Sequence, residues 1–195
     1  MRLTPWIVAG LAVFALWRLY SQRDIHHDAG VLAAADPRQH DTDAPPVERG
    51  DYVLRPRADF SATVRILGRE DYSVDEFARL VPTDFAVGWG PMSDSRVLGG
   101  IEISQANRFY FWRTHTWPVT RQEIERHSAN WHVIAGSESV RATLDDLRAG
   151  SVVEFEGQLV DIEGRDGGMT TSLSRSDTGP GACEILLASS ARELR

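Results

Sequence analysis

One stretch limits the fold more than any other. Between Ser137 and Ile162 a short amphipathic helix passes through Ala149-Gly150 into the long strand Ser151-Val-Val-Glu-Phe-Glu-Gly-Gln-Leu-Val-Asp-Ile162. Ser137 is placed to cap the helix, Glu138 stands where the helix dipole favours an anion, and Gly150 supplies a left-handed stop. Val140, Leu144 and Leu147 recur at i, i+4 and i+7, so one stripe faces a core. In the strand, Val153, Phe155 and Leu159 share a face, with Glu154, Glu156 and Gln158 on the other. Beyond Gly157 the apolar side chains Val160 and Ile162 lie on the face that was polar. A strand that changes its buried side at a glycine predicts a bulge or sharp bend, as at the corner of a small barrel.

The other segments supply more strands. Phe60 to Ile66 alternates, with Phe60, Ala62, Val64 and Ile66 inward. Ser73-Val-Asp-Glu76 reads as a capping box with Tyr72 and Phe77 as its staple, predicting a short helix ended by Pro82. Residues 83–94, rich in glycine and aromatic residues, read as a loop, and Ile101 to Trp112 as one or two strands. A second box, Thr120-Arg-Gln-Glu123 flanked by Val119 and Ile124, starts another short helix. Asn130 to Ile134 is a short strand. Gly164 to Gly168 turns into a strand from Met169 to Arg175, Ser176 to Gly181 is a loop, and Ala182 to Ala188 closes the set. Strands with one helix between the third and fourth follow the order of an OB-like barrel. The expected fold class is α+β, mainly antiparallel β: an OB-like, partly open small barrel with short helices and a large insertion between Tyr72 and Trp117, preceded by an N-terminal transmembrane helix.

The N-terminal run from Leu3 to Trp17 is nearly free of polar side chains, with Arg2 before it and Arg18 after. As a helix, Leu3 to Tyr20 spans roughly 27 Å, close to a hydrocarbon core of about 30 Å. Trp6 at one end and Trp17 with Tyr20 at the other suit the interfaces. No small-x-small cleavage site follows directly, so an uncleaved single-pass anchor over residues 1–21 is expected in the inner membrane, with a periplasmic C-terminal domain. Residues 22–50 hold six acidic residues and few large apolar ones. That composition predicts a flexible linker to a globular β-rich domain over 51–195.

The net charge of -7 lacks the basic footprint that phosphate backbones demand, so nucleic acid is not an expected partner. The membrane and a protein of the envelope are. His26, His27 and His40 are spaced without the pattern of a structural metal site, and His115, His127 and His132 lack Cys or Glu at ligand spacing, so neither a metal nor another cofactor is expected. The single cysteine, Cys183, excludes an intramolecular disulfide.

Three strings, Gly88-Trp-Gly-Pro-Met-Ser-Asp94, His127-Ser-Ala-Asn130 with His132, and Ser172 to Glu184, resemble a family of uncharacterised proteobacterial membrane-anchored single-domain proteins. The resemblance runs over most of Pro56 to Leu187. It implies kinship and no particular activity.

For chemistry, Cys183 with His132 is the obvious nucleophile pair, oriented by Asn130 or Asp177, yet Cys183 lies among apolar residues where a lone cysteine acts as a small hydrophobe. Ser172 or Ser174 with His132 and Asp177 forms the serine alternative, but no Gly-x-Ser-x-Gly elbow exists. No catalytic residue is assigned. The candidate ligand- or partner-binding residues are Trp89, Asp94, Asn130, His132, Arg175 and Asp177, because polar groups in glycine-rich loops on a rigid scaffold serve recognition. A plainer role sets Trp89 in the core and pairs Arg175 with Asp94 or Asp177. The leading expectation is a membrane-tethered, non-enzymatic binding or assembly module of the envelope. A Cys/His- or Ser/His-dependent enzyme is the alternative.

Overall fold

Alternating burial along the strands generates the architecture. The computed structural model describes residues 23–165 and 167–194. In chain order come β1 (Arg38–His40), β2 (Val47–Arg49), β3 (Tyr52–Asp71), β4 (Thr83–Gly88), a 3-10 turn (Gly90–Ser93), α1 (Ser95–Leu98), β5 (Ile101–Ala106) and β6 (Phe109–Thr114). Then follow α2 (Arg121–Arg126), β7 (Ser128–Ala135), α3 (Glu138–Asp146), β8 (Val152–Gly164), β9 (Gly168–Met169) and β10 (Glu184–Leu194). The expected anchor, residues 1–21, lies outside the described residues. Among those described, no helix is long and apolar enough to cross a membrane.

The fold is mostly antiparallel β with a few short helices. β3 is long enough to serve two neighbours, pairing with β8 through residues 52–65 and with β4 through residues 65–71. β4 pairs with β7, β7 with β10, and β10 with β8. The pairing therefore runs in a closed circuit, β3-β4-β7-β10-β8 and back to β3, antiparallel throughout except for β7 with β10. Register shifts at Pro56/Ala58 and Ile66/Gly68 let β3 bend from one neighbour to the next. The hairpin β5–β6 is a separate two-stranded sheet.

Phe60, Ala62, Val64 and Ile66 of β3 point into the main core, as their alternation predicts. There Trp131 packs edge-on against Phe60 at 5.3 Å and Phe155 at 5.9 Å. A second core, with Leu54, Val81, Val160, Ile162, Ile185 and Leu187, lies on the other face of the same strands. That explains the change of side along β8: Leu159 stays in the first core while Val160 and Ile162 enter the second. The irregularity expected at Gly157 falls on its partner, where β10 shifts register between Ala188 and Ser190. Gly157 is needed for the contact itself, since a Cβ there would lie 2.1 Å from the Leu187 carbonyl oxygen.

The helix at the centre of the sequence reading forms as α3. Ser137 Oγ caps it by accepting from Val140 N at 3.3 Å, and Val140, Leu144 and Leu147 are buried. The second capping box also forms, with Thr120 and Glu123 bonded reciprocally at the start of α2. Ser73 to Glu76 does not start a helix. Residues 73–80 form bends and turns, in which the Asp75 carboxylate accepts from Phe77 N and from Arg108. Phe77 packs on Tyr52 and not on Tyr72. Residues 83–94 are not a loop throughout either: Thr83–Gly88 is the fully buried strand β4.

Residues 24–50 do not hang free as a linker. Ile25 N donates to Ala149 O at 2.8 Å, Leu32 N and Ala33 N donate to Ser93 Oγ, and Asp36 Oδ1 accepts from the Trp89 indole N–H at 3.1 Å. β1 and β2 then pair with β3. Low apolar content means this segment cannot fold alone; its backbone instead docks on polar groups that the domain presents.

Candidate functional site

β7 divides the molecule's polar chemistry. Its residues Ala129, Trp131 and Val133 point into the main core, while Ser128, Asn130 and His132 lie on the opposite face, buried beneath the β5–β6 hairpin. There Tyr110 Oη lies 2.8 Å from Ser128 Oγ, and Gln105 Nε2 donates to Asn130 Oδ1 at 3.0 Å.

The hairpin tip is fixed by an arginine in an unusual conformation. Asn107 and Arg108 both have positive φ, 53° and 69°, the geometry of a two-residue type I′ turn. Arg108 N donates to Tyr72 Oη at 2.9 Å, and the guanidinium lies 3.8 Å over the Tyr72 ring. Its Nη1 donates to Asp84 Oδ1 at 2.9 Å and to Val81 O, and Nη2 to Asp75. Asp84 is fully buried and also meets His132 Nδ1 at 2.8 Å and Asn130 Nδ2 at 3.4 Å. This cluster is a clamp: every carboxylate in it has several donors, and a buried charge so compensated is a structural element.

Beside the clamp is a cleft of about 380 Å³. One side is the aromatic run Phe109, Tyr110, Phe111 and Trp112 of β6. Asn130 and Trp89 contribute to its lining, and the segments Ser174 to Gly179 and Ala182 to Glu184 supply the rest. Arg121 and Glu125 of α2, paired with each other, add charge to the lining. Phe109 is 38% exposed and Phe111 54%, unusually open for phenylalanines.

Glu184 is the chemical anomaly of the cleft. It is 2% exposed and shares the inward side of β10 with Leu186 and Ala188. Its Oε1 lies 2.9 Å from Arg175 Nη1, while Oε2 is buried with no hydrogen bond of good geometry, and the Trp131 indole N–H, itself unmatched, is a donor to this carboxyl at longer range. Burial pushes its carboxyl up to about 8, against the pull of Arg175. Arg175 sits 5.5 Å over the Phe60 ring and donates to Ser172 O. Cys183, next in the lining, has its sulfur 3.8 Å from Arg108 O. Burial and then the nearby Glu184 and Asp84 carboxylates push its thiol up to about 12. It is a poor source of thiolate.

Of the residues singled out from sequence, Trp89, Asn130, Arg175 and Asp177 come together around the cleft. Asp94 does not. It caps α1 and accepts from Gly30 N and Arg96 N, which hold its carboxyl below the ordinary range. His132 does not either, since its ring turns to Asp84 in the clamp. Trp89 is core as well as lining, 2% exposed. Arg175 pairs with Glu184 instead of Asp94 or Asp177, and Asp177 Oδ2 accepts from Ser172 Oγ at 2.7 Å.

Glu184 and the β6 aromatics are not among the binding residues expected from sequence, although Glu184 with Asp177 is a conceivable acid–base pair there. A signal existed for Glu184: it stands where the alternation of Leu186 and Ala188 demands an apolar side chain. For β6 the run Phe-Tyr-Phe-Trp was visible, but which edge it exposes was not. Compared with known proteins, the chain matches no family model, no curated protein and no solved structure.

Proposed function

We propose that this chain is a membrane-tethered binding or assembly module of the bacterial envelope, without catalytic chemistry of its own, and that the aromatic cleft is its recognition site. The domain is read as an OB-like, partly open small barrel. The five-stranded circuit and the helix between its third and fourth strands support that reading. In such barrels the face of the second and third strands is the usual binding surface. Here that face, β4 with β7, is occupied by the clamped hairpin, so the open cleft beside it takes over. Charge in the cleft is mixed, with Arg121 and Arg175 set against Glu125, Asp177 and Glu184. A nucleic-acid ligand is therefore not favoured.

The observation that carries this proposal is the exposure of two aromatics, Phe109 and Phe111, at the rim of a cleft that Asn130, Arg175 and Asp177 also line. Apolar walls supply area, and a few convergent polar groups supply orientation. The alternative of a Cys/His- or Ser/His-dependent enzyme gains no support from the geometry. The Cys183 sulfur faces a carbonyl, and Ser172 Oγ donates to a carboxylate with no imidazole between them.

The test is site-specific photocrosslinking in native membranes, with a photoreactive phenylalanine at position 111 and, as control, at Val74, which is 98% exposed outside the cleft. A discrete adduct from position 111 alone is expected. Identical background from both positions overturns the proposal. A reporter fused to the C-terminus tests the periplasmic placement, and cytoplasmic activity of that reporter rejects it.

A further inference from the structure

The cleft is bordered by the edge of β6 and not by one of its faces. Side chains of a strand alternate between two faces. Yet four consecutive residues, Phe109 to Trp112, line the cleft, and no residue of β5 does. Only the rim of β6 remote from β5 satisfies both facts.

That rim is unpaired. Among the described residues, β6 pairs with β5 alone. The two-residue turn makes Ala106 and Phe109 the hydrogen-bonded pair that closes the hairpin, so such pairs recur at Ser104 with Phe111 and at Glu102 with Arg113. The backbone N–H and C=O groups of Tyr110 and Trp112 therefore point away from β5, towards the cleft. Edge strands are ordinarily blunted by lysine, proline or a bulge. β6 reads Phe-Tyr-Phe-Trp-Arg-Thr, in unbroken register with β5, and has none of the three.

We infer that the cleft takes an extended peptide segment of a partner protein, which adds a third strand to the β5–β6 sheet alongside β6. The inference rests on the reading of the cleft as a binding site. Ser174, Arg175 and Asp177 to Gly179 also line this space of about 380 Å³, which leaves room beside β6 for an extended segment of a few residues. An added strand alternates its side chains like its neighbour. One set lies over the exposed Phe109 and Phe111 and is apolar. The other set faces the side of the cleft that Asn130 lines and is small or uncharged polar, because a buried charge there would itself need a partner.

The probe is a displayed library of random peptides of about twelve residues, panned on the full-length chain in detergent and counter-selected on Phe111→Ala, with Phe109→Ala as a second variant. Enriched peptides are expected to lose binding at least about tenfold on either variant. Binding is expected to slow hydrogen exchange at the Tyr110 and Trp112 amides by about tenfold or more. N-methylation of every second peptide residue should abolish binding in one register and be tolerated in the other. If peptides bind in a Phe111-dependent way while those amides exchange unchanged, strand addition is overturned and the cleft reading survives. If no enriched peptide depends on Phe111 but position 111 still crosslinks specifically, the peptide occupant is wrong and the cleft stands. Slow exchange of both amides in the free chain that is lost on dilution assigns the edge to a second copy and overturns the inference.

Discussion

Two buried carboxylates lie on either side of the β7 sheet, and their surroundings differ in one respect. Asp84, under the hairpin tip, is met by Arg108, His132 and Asn130. Glu184, in the cleft lining, has an ion pair with Arg175 on one oxygen, and its other oxygen makes no hydrogen bond of good geometry, with the Trp131 indole N–H as its neighbouring donor. A carboxylate met by several donors holds elements together; one with a single ion pair leaves part of its desolvation uncompensated, and burial raises its pKa. Burial alone does not separate the two, since both side chains are essentially inaccessible. Completeness of partnering does. By that measure the clamp anchors the hairpin, and the hairpin in turn presents the edge of β6.

The largest expected effect tests the clamp. Asp84→Ala strands Arg108 and His132 without their shared acceptor and should cost about 3–5 kcal/mol by urea unfolding. A loss below about 1 kcal/mol would mean the clamp is not structural. Next is reactivity in the cleft. With its thiol pushed up to about 12 from 9.0, Cys183 should react with iodoacetamide at pH 8 about 10³-fold more slowly than an unperturbed cysteine, followed by intact mass. A rate near that of a free thiol would show an activated cysteine and restore the enzymatic alternative.

The third test concerns Glu184, whose carboxyl is raised from 4.5 to about 8. The folded state therefore holds the proton more tightly than the unfolded chain. The associated stability is complete below about pH 4.5 and is lost as pH rises through about 8. Unfolding followed from pH 5 to 9 should show a decline on the order of 2–4 kcal/mol that Glu184→Gln removes. A variant that keeps the same slope would place the titration elsewhere. The smallest effect is on stability at the rim. Phe111→Ala, on an exposed side chain, should change unfolding free energy by no more than about 0.5 kcal/mol while abolishing a cleft-dependent adduct. Substantial unfolding would show that the residue is packing and not recognition.

Legibility varied with the range of the interaction. The α3 cap, the Thr120 capping box and the alternation of β3 are local patterns of three to seven residues, and all three formed. The box at Ser73 did not form; the turn there is held instead by Asp75, which accepts from Phe77 N and from Arg108, a residue distant in sequence. The segment before residue 51 looked unable to fold, which is true of it in isolation, but its amides reach Ser93 and Asp94 across the chain. Of the candidate residues, those in the second glycine loop reached the cleft because that loop has no strand to absorb it. Asp94 and His132 were absorbed by a helix cap and a buried hydrogen bond to Asp84.

Sequence by itself determined a chain rich in antiparallel strands with one helix inside their order, an apolar N-terminal run, and a strand, β8, that buries different faces along its length. Those features follow from periods of 2 and 3.6 residues and from chain-local capping. Only the tertiary structure decided that β8 changes side to feed a second core instead of turning a corner. It alone showed that the polar segment before β3 docks on the domain, and that Glu184, an acid at an apolar position of β10, is buried in the lining of the cleft that β6 borders. Each depends on which distant groups meet, and hydrogen-bond partnering across the fold leaves no periodic trace in the sequence.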